Sequence, residues 1–406
     1  MGFGGGPIDV PTLPGMLRDH GYQTHMVGRY MHQTPASCRY GFDSQTLGSS
    51  HVVGDLFDQF VRHETDHVDG FFSHGLSFNG WTARAWHMDE AMHPTNWVVN
   101  ESLRFLHHRY EPFPFFLTMS FYSPLPPLCP PQFFMDRYLR MNLPEPAIGD
   151  WEDPVPPGNT RIVDAARVNL TGEQLRNCQA GYFGLIEHID NQINRLLSFR
   201  GPGGYNPRNT VVIFTSDHGE MLGDHYLFRK CEPFEGSARV PFVIAGGGDL
   251  GFRSGQVVDS PVCLEDLMPT CLDLAGVDVP DTVDGESLVP VLRGEADAPR
   301  RAYLHGEHAP CYSQEQAYHS LTDGHMKYIW RPTTGRELLF NLDQDPHEKR
   351  NLAASADNGA AATTLHEWRS RMIEQLTGRE EGFVRNGELA PGRTYKTLMS
   401  HATTST

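Results

Sequence analysis

The residues whose types and spacing could do chemistry gather in one stretch, Val211 to Val243, which reads VVIFTSDHGEMLGDHYLFRKCEPFEGSARVPFV. Asp217 and His218 stand side by side there, and a carboxylate and an imidazole are both ordinary ligands of a divalent cation. A second pair, Asp224 and His225, follows, and then Arg229 and Lys230. Metal ligands beside fixed positive charge make a seat for a metal and an anion together. A lone Ser-Asp or Asp-His more often turns a chain or caps a helix. The accumulation of Asp217, His218, Asp224, His225 and Lys230 after one apolar run is what points to a site.

The element that positions them is that run. Val211, Val212, Ile213 and Phe214 read as a fully buried parallel strand, and ligand sites in open α/β sheets form just beyond the carboxyl ends of strands. A second strand, YQTHMVG at 22–28, delivers Arg29, Tyr30, Met31 and His32 to its own end. A short helix at 12–21 precedes it, capped by Thr12 and ended by Gly21. Residues 33–93 show no period and read as an insertion of loops. TNWVVNESLRFLHHR at 95–109 is helical, FFLTMSF at 115–121 is a buried strand, and five prolines then hold an extended loop. The acidic, proline-rich stretch 143–170 reads as a surface excursion. A long helix begins at Thr171 and runs through GYFGLIEHIDNQINRLL, and RVPFVIAG at 239–246 is another buried strand.

Helix and strand thus alternate through the middle of the chain. That predicts an α/β fold, a mostly parallel sheet sandwiched by helices. From about Arg300 short strands at hairpin spacing (RAYLHGEH, HMKYIWRP, RELLFNL) predict a small antiparallel sheet with a helix near LHEWRSRMIEQL. The expected division is 1–299 as a catalytic α/β domain, 300–377 as the antiparallel sheet plus helix, and 378–406 as a loose tail.

Composition narrows the partners. The chain has 406 residues and a net charge of −17, which argues against nucleic acid or an anionic membrane surface. No run of about 18 apolar residues supports a membrane span. An anionic substrate would need a local positive spot, which Arg, Lys and a metal supply. The seven cysteines are scattered with no C-x-x-C pair, so neither a structural zinc site nor a disulfide framework is indicated. Reduced thiols in a cytoplasmic setting fit that pattern.

Several segments together carry a family pattern. TLPGMLRDHGYQTHMVGRY resembles the helix and strand before the Gly-Lys motif of the sulfatases, the formylglycine-dependent branch of the alkaline phosphatase superfamily. RYGFD at 39–43 resembles its Gly-Phe-Asp, and PFFLTMSFYSPLPP its strand and Pro-His-x-Pro loop. TSDHGEMLGDHYLFRK with FEGSARVPFVI resembles its second metal-binding motif, and LLFNLDQDPHEKRNLA its C-terminal segment. The resemblance spans nearly the whole chain. It implies an alkaline phosphatase-like fold and a sulfuric ester hydrolase acting on a small-molecule or carbohydrate sulfate ester.

By that resemblance Asp217 and His218 are metal ligands, most often of calcium. Lys230 matches the lysine that contacts the sulfate, and Arg29 stands where the family has a lysine. Two positions depart from the pattern. Gly-Lys-x-His reads Gly28-Arg29-Tyr30-Met31, with His32 one place late as the substitute, and Leu125 occupies the histidine place of the Pro-His-x-Pro loop. Methionine and leucine transfer no protons. The family's first strand, with its paired Asp ligands, and its Cys/Ser-x-Pro-x-Arg precursor of formylglycine have no counterpart here. The expectation is that they lie upstream of Met1 and that a sheet edge is left open. Two other readings stand beside this one: a phosphonate or phosphate ester hydrolase of the same superfamily, and a non-catalytic protein that keeps the fold.

Overall fold

The computed structural model describes residues 10–29, 38–49, 52–66, 70–158, 162–199, 201, 206–246, 248–295, 301–355 and 359–392. Helix α1 (Leu13–Asp19) opens it, with the Thr12 hydroxyl accepting from the Gly15 N–H at 3.3 Å. Strand β1 (Gln23–Gly28) is buried almost throughout, as expected of a central parallel strand covered on both faces. It pairs in parallel with β2 (Ser44–Leu47) on one side and with β3 (Phe115–Ser120) on the other, from Gln23↔Phe115 to Gly28↔Ser120.

Helix α2 (Leu56–Glu64) and helix α3 (Pro94–His108) lie between β2 and β3 in sequence. β2 and α2 fall within 33–93, which the sequence reads as loops. The four-residue β2 is too short and polar to announce itself, whereas α2 buries Phe57 and Val61 at helical spacing. These two join Val27, Trp97 and Val98 in one core cluster. Helix α4 (Gln132–Leu139) then packs on the long helix α5 (Gly172–Leu197), where Gly184 lets the Pro130 ring approach.

The stretch 143–170 is no surface excursion. Val168 and Leu170 are buried with Leu175, Leu185 and Phe228, and Trp151 stacks on Phe234 with ring centroids 4.9 Å apart. Prolines and acids gave the segment a solvent-facing look, and Ile162 and Val163 do face outward, but Val168 and Leu170 turn into the core.

Strand β4 (Val212–Thr215) corrects a second expectation. It pairs antiparallel with β5 (Phe242–Ala245), which it reaches through the short helix α6 (Glu235–Ala238). Phe214 and its cross-strand partner Val243 are 41% and 55% exposed. A short apolar run shows a strand but not its partner's direction or its cover. The overall class is nevertheless the expected one: a mixed α/β chain with a parallel sheet and small antiparallel sheets.

Helices α7 (Leu267–Ala275) and α8 (Val289–Arg293) lead to the C-terminal sheet. Its strands β6 (Leu304–His308), β7 (Tyr318–Thr322), β8 (Met326–Trp330) and β9 (Glu337–Asn341) run antiparallel in sequence order. Helix α9 (Ala360–Leu376) covers one face through Leu365, Trp368 and Met372. The segment after Gly378 is packed rather than loose as far as Gly392. A hairpin of β10 (Val384–Arg385) and β11 (Glu388–Leu389) follows Phe383, which is fully buried against Trp330.

The C-terminal sheet is not a separate lobe. Tyr318, Ile329, Leu338 and Phe340 share a core cluster with Met221, Leu227 and Phe234 of the stretch after β4. Among the described residues no helix is long and apolar enough to cross a membrane.

Candidate functional site

Asp217 and His218 lie just past the end of β4, and Arg29 just past the end of β1. Gly28 fixes where Arg29 starts. Its φ is +102°, and a Cβ there would come 2.0 Å from the Ser120 carbonyl oxygen, so only glycine allows β1 and β3 to close to this spacing. The Arg29 N–H donates to that same Ser120 oxygen at 3.2 Å. Its guanidinium then lies 4.5 Å from the centroid of the Tyr122 ring, a cation–π contact. Register explains the meeting: Gly28 pairs with Ser120, so the residues after both strands emerge together.

Gly219 sets the height of His218. A Cβ on it would meet the Gly236 carbonyl oxygen at 2.2 Å, and its N–H donates to the Ser237 oxygen at 2.8 Å. The His218 ring is tied down by Nδ1, which donates to the Gly219 carbonyl at 2.8 Å. That bond assigns the tautomer and leaves Nε2 unprotonated. Nε2 lies 3.8 Å from Asp217 Oδ1, and the Asp217 side chain is 72% exposed. A carboxylate open to solvent beside an oriented imidazole lone pair is a fitting donor pair for a divalent cation.

The electrostatics bring the four residues together. Burial lowers the His218 pKa, with Lys230 and Arg29 adding to the effect and Asp217 opposing it. Burial also lowers Lys230, and the Arg29 and Arg229 charges push it the same way. Arg29 is lowered by burial and held up by Tyr122 and Asp217. The fold has thus gathered cations that would rather be hydrated, a state that an anion relieves.

The loop that carries Lys230 is strained. Leu222, His225, Tyr226, Arg229 and Cys231 all have positive φ, between 47° and 75°. Each such non-glycine residue stores about 1–3 kcal/mol and persists only where its surroundings over-determine it. Here the buried Glu220 carboxylate accepts from the Leu222 N–H at 3.1 Å and from the Arg229 N–H. Arg229 itself lies 4.3 Å from the Tyr312 ring centroid.

Asp224 and His225 turn out to be structural. Asp224 Oδ1 accepts from the Ala147 N–H at 2.7 Å, and His225 Nδ1 accepts from the Gly149 N–H at 3.1 Å. The His225 ring packs on Trp151 and Phe234, and burial drives its pKa down to about 4. The pair clamps 143–170 onto the loop and is not available to a ligand.

His32 lies outside the described residues. Leu125 sits in the proline loop after β3, its N–H bonded to the Tyr122 carbonyl at 3.3 Å. Two cysteines, Cys129 and Cys231, precede a proline by two places, but Phe133 and Glu235 stand where an arginine would complete the nucleophile motif. Burial raises both thiols to about 12, so neither supplies a thiolate at neutral pH. Tyr122 and Tyr312 escaped the sequence reading. The signal for Tyr122 was its place directly after a second buried strand.

Comparison with known proteins agrees on one family. Residues 2–277 match the Sulfatase family model, and residues 223–375 match the model described as N-sulphoglucosamine sulphohydrolase, C-terminal. An arylsulfatase of Clostridium perfringens (strain 13 / Type A) is 38% identical over 405 residues, covering 95% of this chain and 82% of that protein. A choline-sulfatase of Rhizobium meliloti (strain 1021) is 28% identical over 374 residues, covering 89% and 70%. Among solved structures, the phosphonate monoester hydrolase of Agrobacterium radiobacter aligns over 90% of this chain and 79% of that one, with a TM-score of 0.70 and 24% identity. That last likeness is one of fold.

Proposed function

The chain belongs to the sulfatase family of sulfate monoester hydrolases, and from that premise we propose that Arg29, Asp217, His218 and Lys230 seat the sulfate group of a small-molecule or carbohydrate sulfate ester. What supports the reading is that Arg29 follows β1 and Asp217–His218 follow β4, and that the charges of Arg29 and Lys230 both act on His218.

The residues act as follows. Arg29 lies over the Tyr122 ring and keeps its charge at any physiological pH, so it fixes one sulfate oxygen and the register of the ester. Lys230 offers a point charge with lowered basicity. It binds a second oxygen and yields a proton to a departing alkoxide more readily than a surface lysine. Asp217 and the His218 Nε2 would hold a divalent cation, calcium by family, whose bound charge would draw electron density from the sulfate oxygens. Calcium takes about six to eight ligands, so these two side chains hold one side of it. The mean positive charge of the cluster favours the transition state because the leaving oxygen gains charge there.

The test is a panel of aryl sulfate, phosphate and phosphonate esters with this chain, read both as turnover and as calorimetric binding of inorganic sulfate. Binding of sulfate that Lys230→Ala weakens at least tenfold supports the site. Sulfate binding untouched by Lys230→Ala and Arg29→Ala sinks it. Preferred phosphonate turnover favours the related hydrolase, and sulfate binding without turnover of any ester identifies a binding protein on the same fold.

A further inference from the structure

The C-terminal sheet carries three more ligand-type side chains on one face, far along the chain from the residues above. His305 and Glu307 alternate along β6, so both point to the same side. His319 on β7 stands directly across from Glu307. Among the described residues these three alone bring one ligand atom each within 4.8 Å of one another. We propose that His305, Glu307 and His319 form a zinc site, independent of the sulfate site and its cation.

The distances suit that ion. His305 Nε2 lies 3.1 Å from His319 Nδ1, and His319 Nδ1 lies 3.4 Å from Glu307 Oε2. Zn–N and Zn–O bonds are about 2.0–2.1 Å, and a tetrahedron of that size has ligand–ligand edges of about 3.3–3.4 Å. The His319–Glu307 edge matches that figure, the edge between the two imidazoles is shorter, and the third pair of ligand atoms lies within 4.8 Å. Calcium needs more oxygens and wider spacing. Two imidazoles and a carboxylate leave a fourth position for water.

The surroundings hold the ligands ready. His319 is fully buried, with its ring against Phe383 at 4.9 Å and Trp330 at 6.0 Å. The His305 and His319 rings are parallel within 8°. The 3.1 Å contact between the two imidazoles is a hydrogen bond, so a cation seated there displaces the proton that the two facing nitrogens share. Arg379 weighs against a cation, since it binds Glu307 at 2.7 Å. It also binds the buried Glu381 at 2.8 Å, so the two carboxylates outnumber it and the cluster stays net negative. Glu307 has lone pairs to spare for both partners.

The experiment is titration of the full chain with Zn²⁺, with calcium in excess to occupy other oxygen sites, and with Co²⁺ as the spectroscopic probe. One Zn²⁺ bound per chain, a tetrahedral Co²⁺ visible spectrum and a Zn²⁺-dependent rise in melting temperature are expected. His305→Asn and Glu307→Gln, both at partly exposed positions, should each weaken Zn²⁺ at least about tenfold and abolish the rise in melting temperature. His325→Gln, which alters an exposed His–Asp pair, should change nothing. Equal Zn²⁺ affinity in the wild type and in the His305→Asn/Glu307→Gln double variant overturns the proposal, as does octahedral Co²⁺.

Discussion

Replacing Lys327 by methionine should be among the most damaging single changes away from the sulfate site. Its side chain on β8 is 3% exposed, and its ammonium is bound on three sides: to Glu235 at 2.5 Å, to Glu348 at 2.9 Å and to the Pro233 carbonyl at 3.0 Å. Facing two carboxylates, Lys327 keeps its charge in spite of burial, and its pKa lies above the usual lysine value. Methionine fills nearly the same volume, so the loss is electrostatic. At an effective dielectric of about 20 an ion pair at this range is worth about 6 kcal/mol before desolvation is subtracted. Removing one partner of a buried pair costs about 3–5 kcal/mol, because the other charge stays buried alone. The Glu348 side chain is only 2% exposed, so it cannot turn to solvent. Urea unfolding of Lys327→Met should therefore show a loss of about 3–5 kcal/mol. Adding Glu348→Gln should restore about 1–2 kcal/mol of it, since one uncompensated charge is removed. A loss below about 1 kcal/mol, or a double variant weaker than the sum of the singles, refutes the account. The same change frees Pro233 and Glu235, which follow Lys230 closely, so sulfate binding should weaken in parallel.

Four further outcomes follow from the geometry. Gly28→Ala should lose about 2 kcal/mol or more in urea unfolding, because its Cβ would meet the Ser120 oxygen at 2.0 Å, and it should weaken sulfate binding by displacing Arg29. Arg29→Lys should not restore the arginine's affinity for sulfate in calorimetry, because lysine cannot stack flat on Tyr122. His225 is buried neutral with a pKa near 4, so the unfolded chain binds the extra proton between about pH 6.5 and 4. Its contribution to stability is full above about pH 6.5 and falls as pH drops towards 4, and His225→Phe should flatten the urea midpoint over that window. Calcium binding measured by calorimetry should persist below pH 6.5, because His218 is held neutral by a lowered pKa, and it should fail on acidification in Asp217→Asn first.

Much of the site was legible because its residues sit beside strand ends, and apolar runs announce strands. Arg29, Asp217 and His218 were picked out as candidates that way, and Lys230 by its place in the family motif that follows. What the sequence could not show was direction and cover. VVIF reads the same whether its neighbour runs parallel or antiparallel, and nothing in Phe214 or Val243 says that one face stays open. Asp224 and His225 misled for a related reason. Their side chains suit a ligand, but their partners, Ala147 and Gly149, are backbone groups about 77 residues away. Val168 and Leu170 hid among prolines and acids, where a mean over the segment outweighs two buried side chains.

The bonds that reach Glu348 impose an order of events on the growing chain. The Glu235 N–H donates to the Glu348 carboxylate across 113 residues, and the Trp151 indole to its carbonyl across 197. At about 5–20 residues per second, about 6–23 s pass between synthesis of Glu235 and synthesis of Glu348. Throughout that interval Met221, Leu227 and Phe234 lack the strands that later bury them. The strained loop bearing Lys230 therefore stays unset until the C-terminal sheet emerges, and a ribosome-bound chain stalled before Lys327 should be cut by protease within 222–231. The proposed anion seat is among the last parts of the molecule to be made, although its residues are finished early.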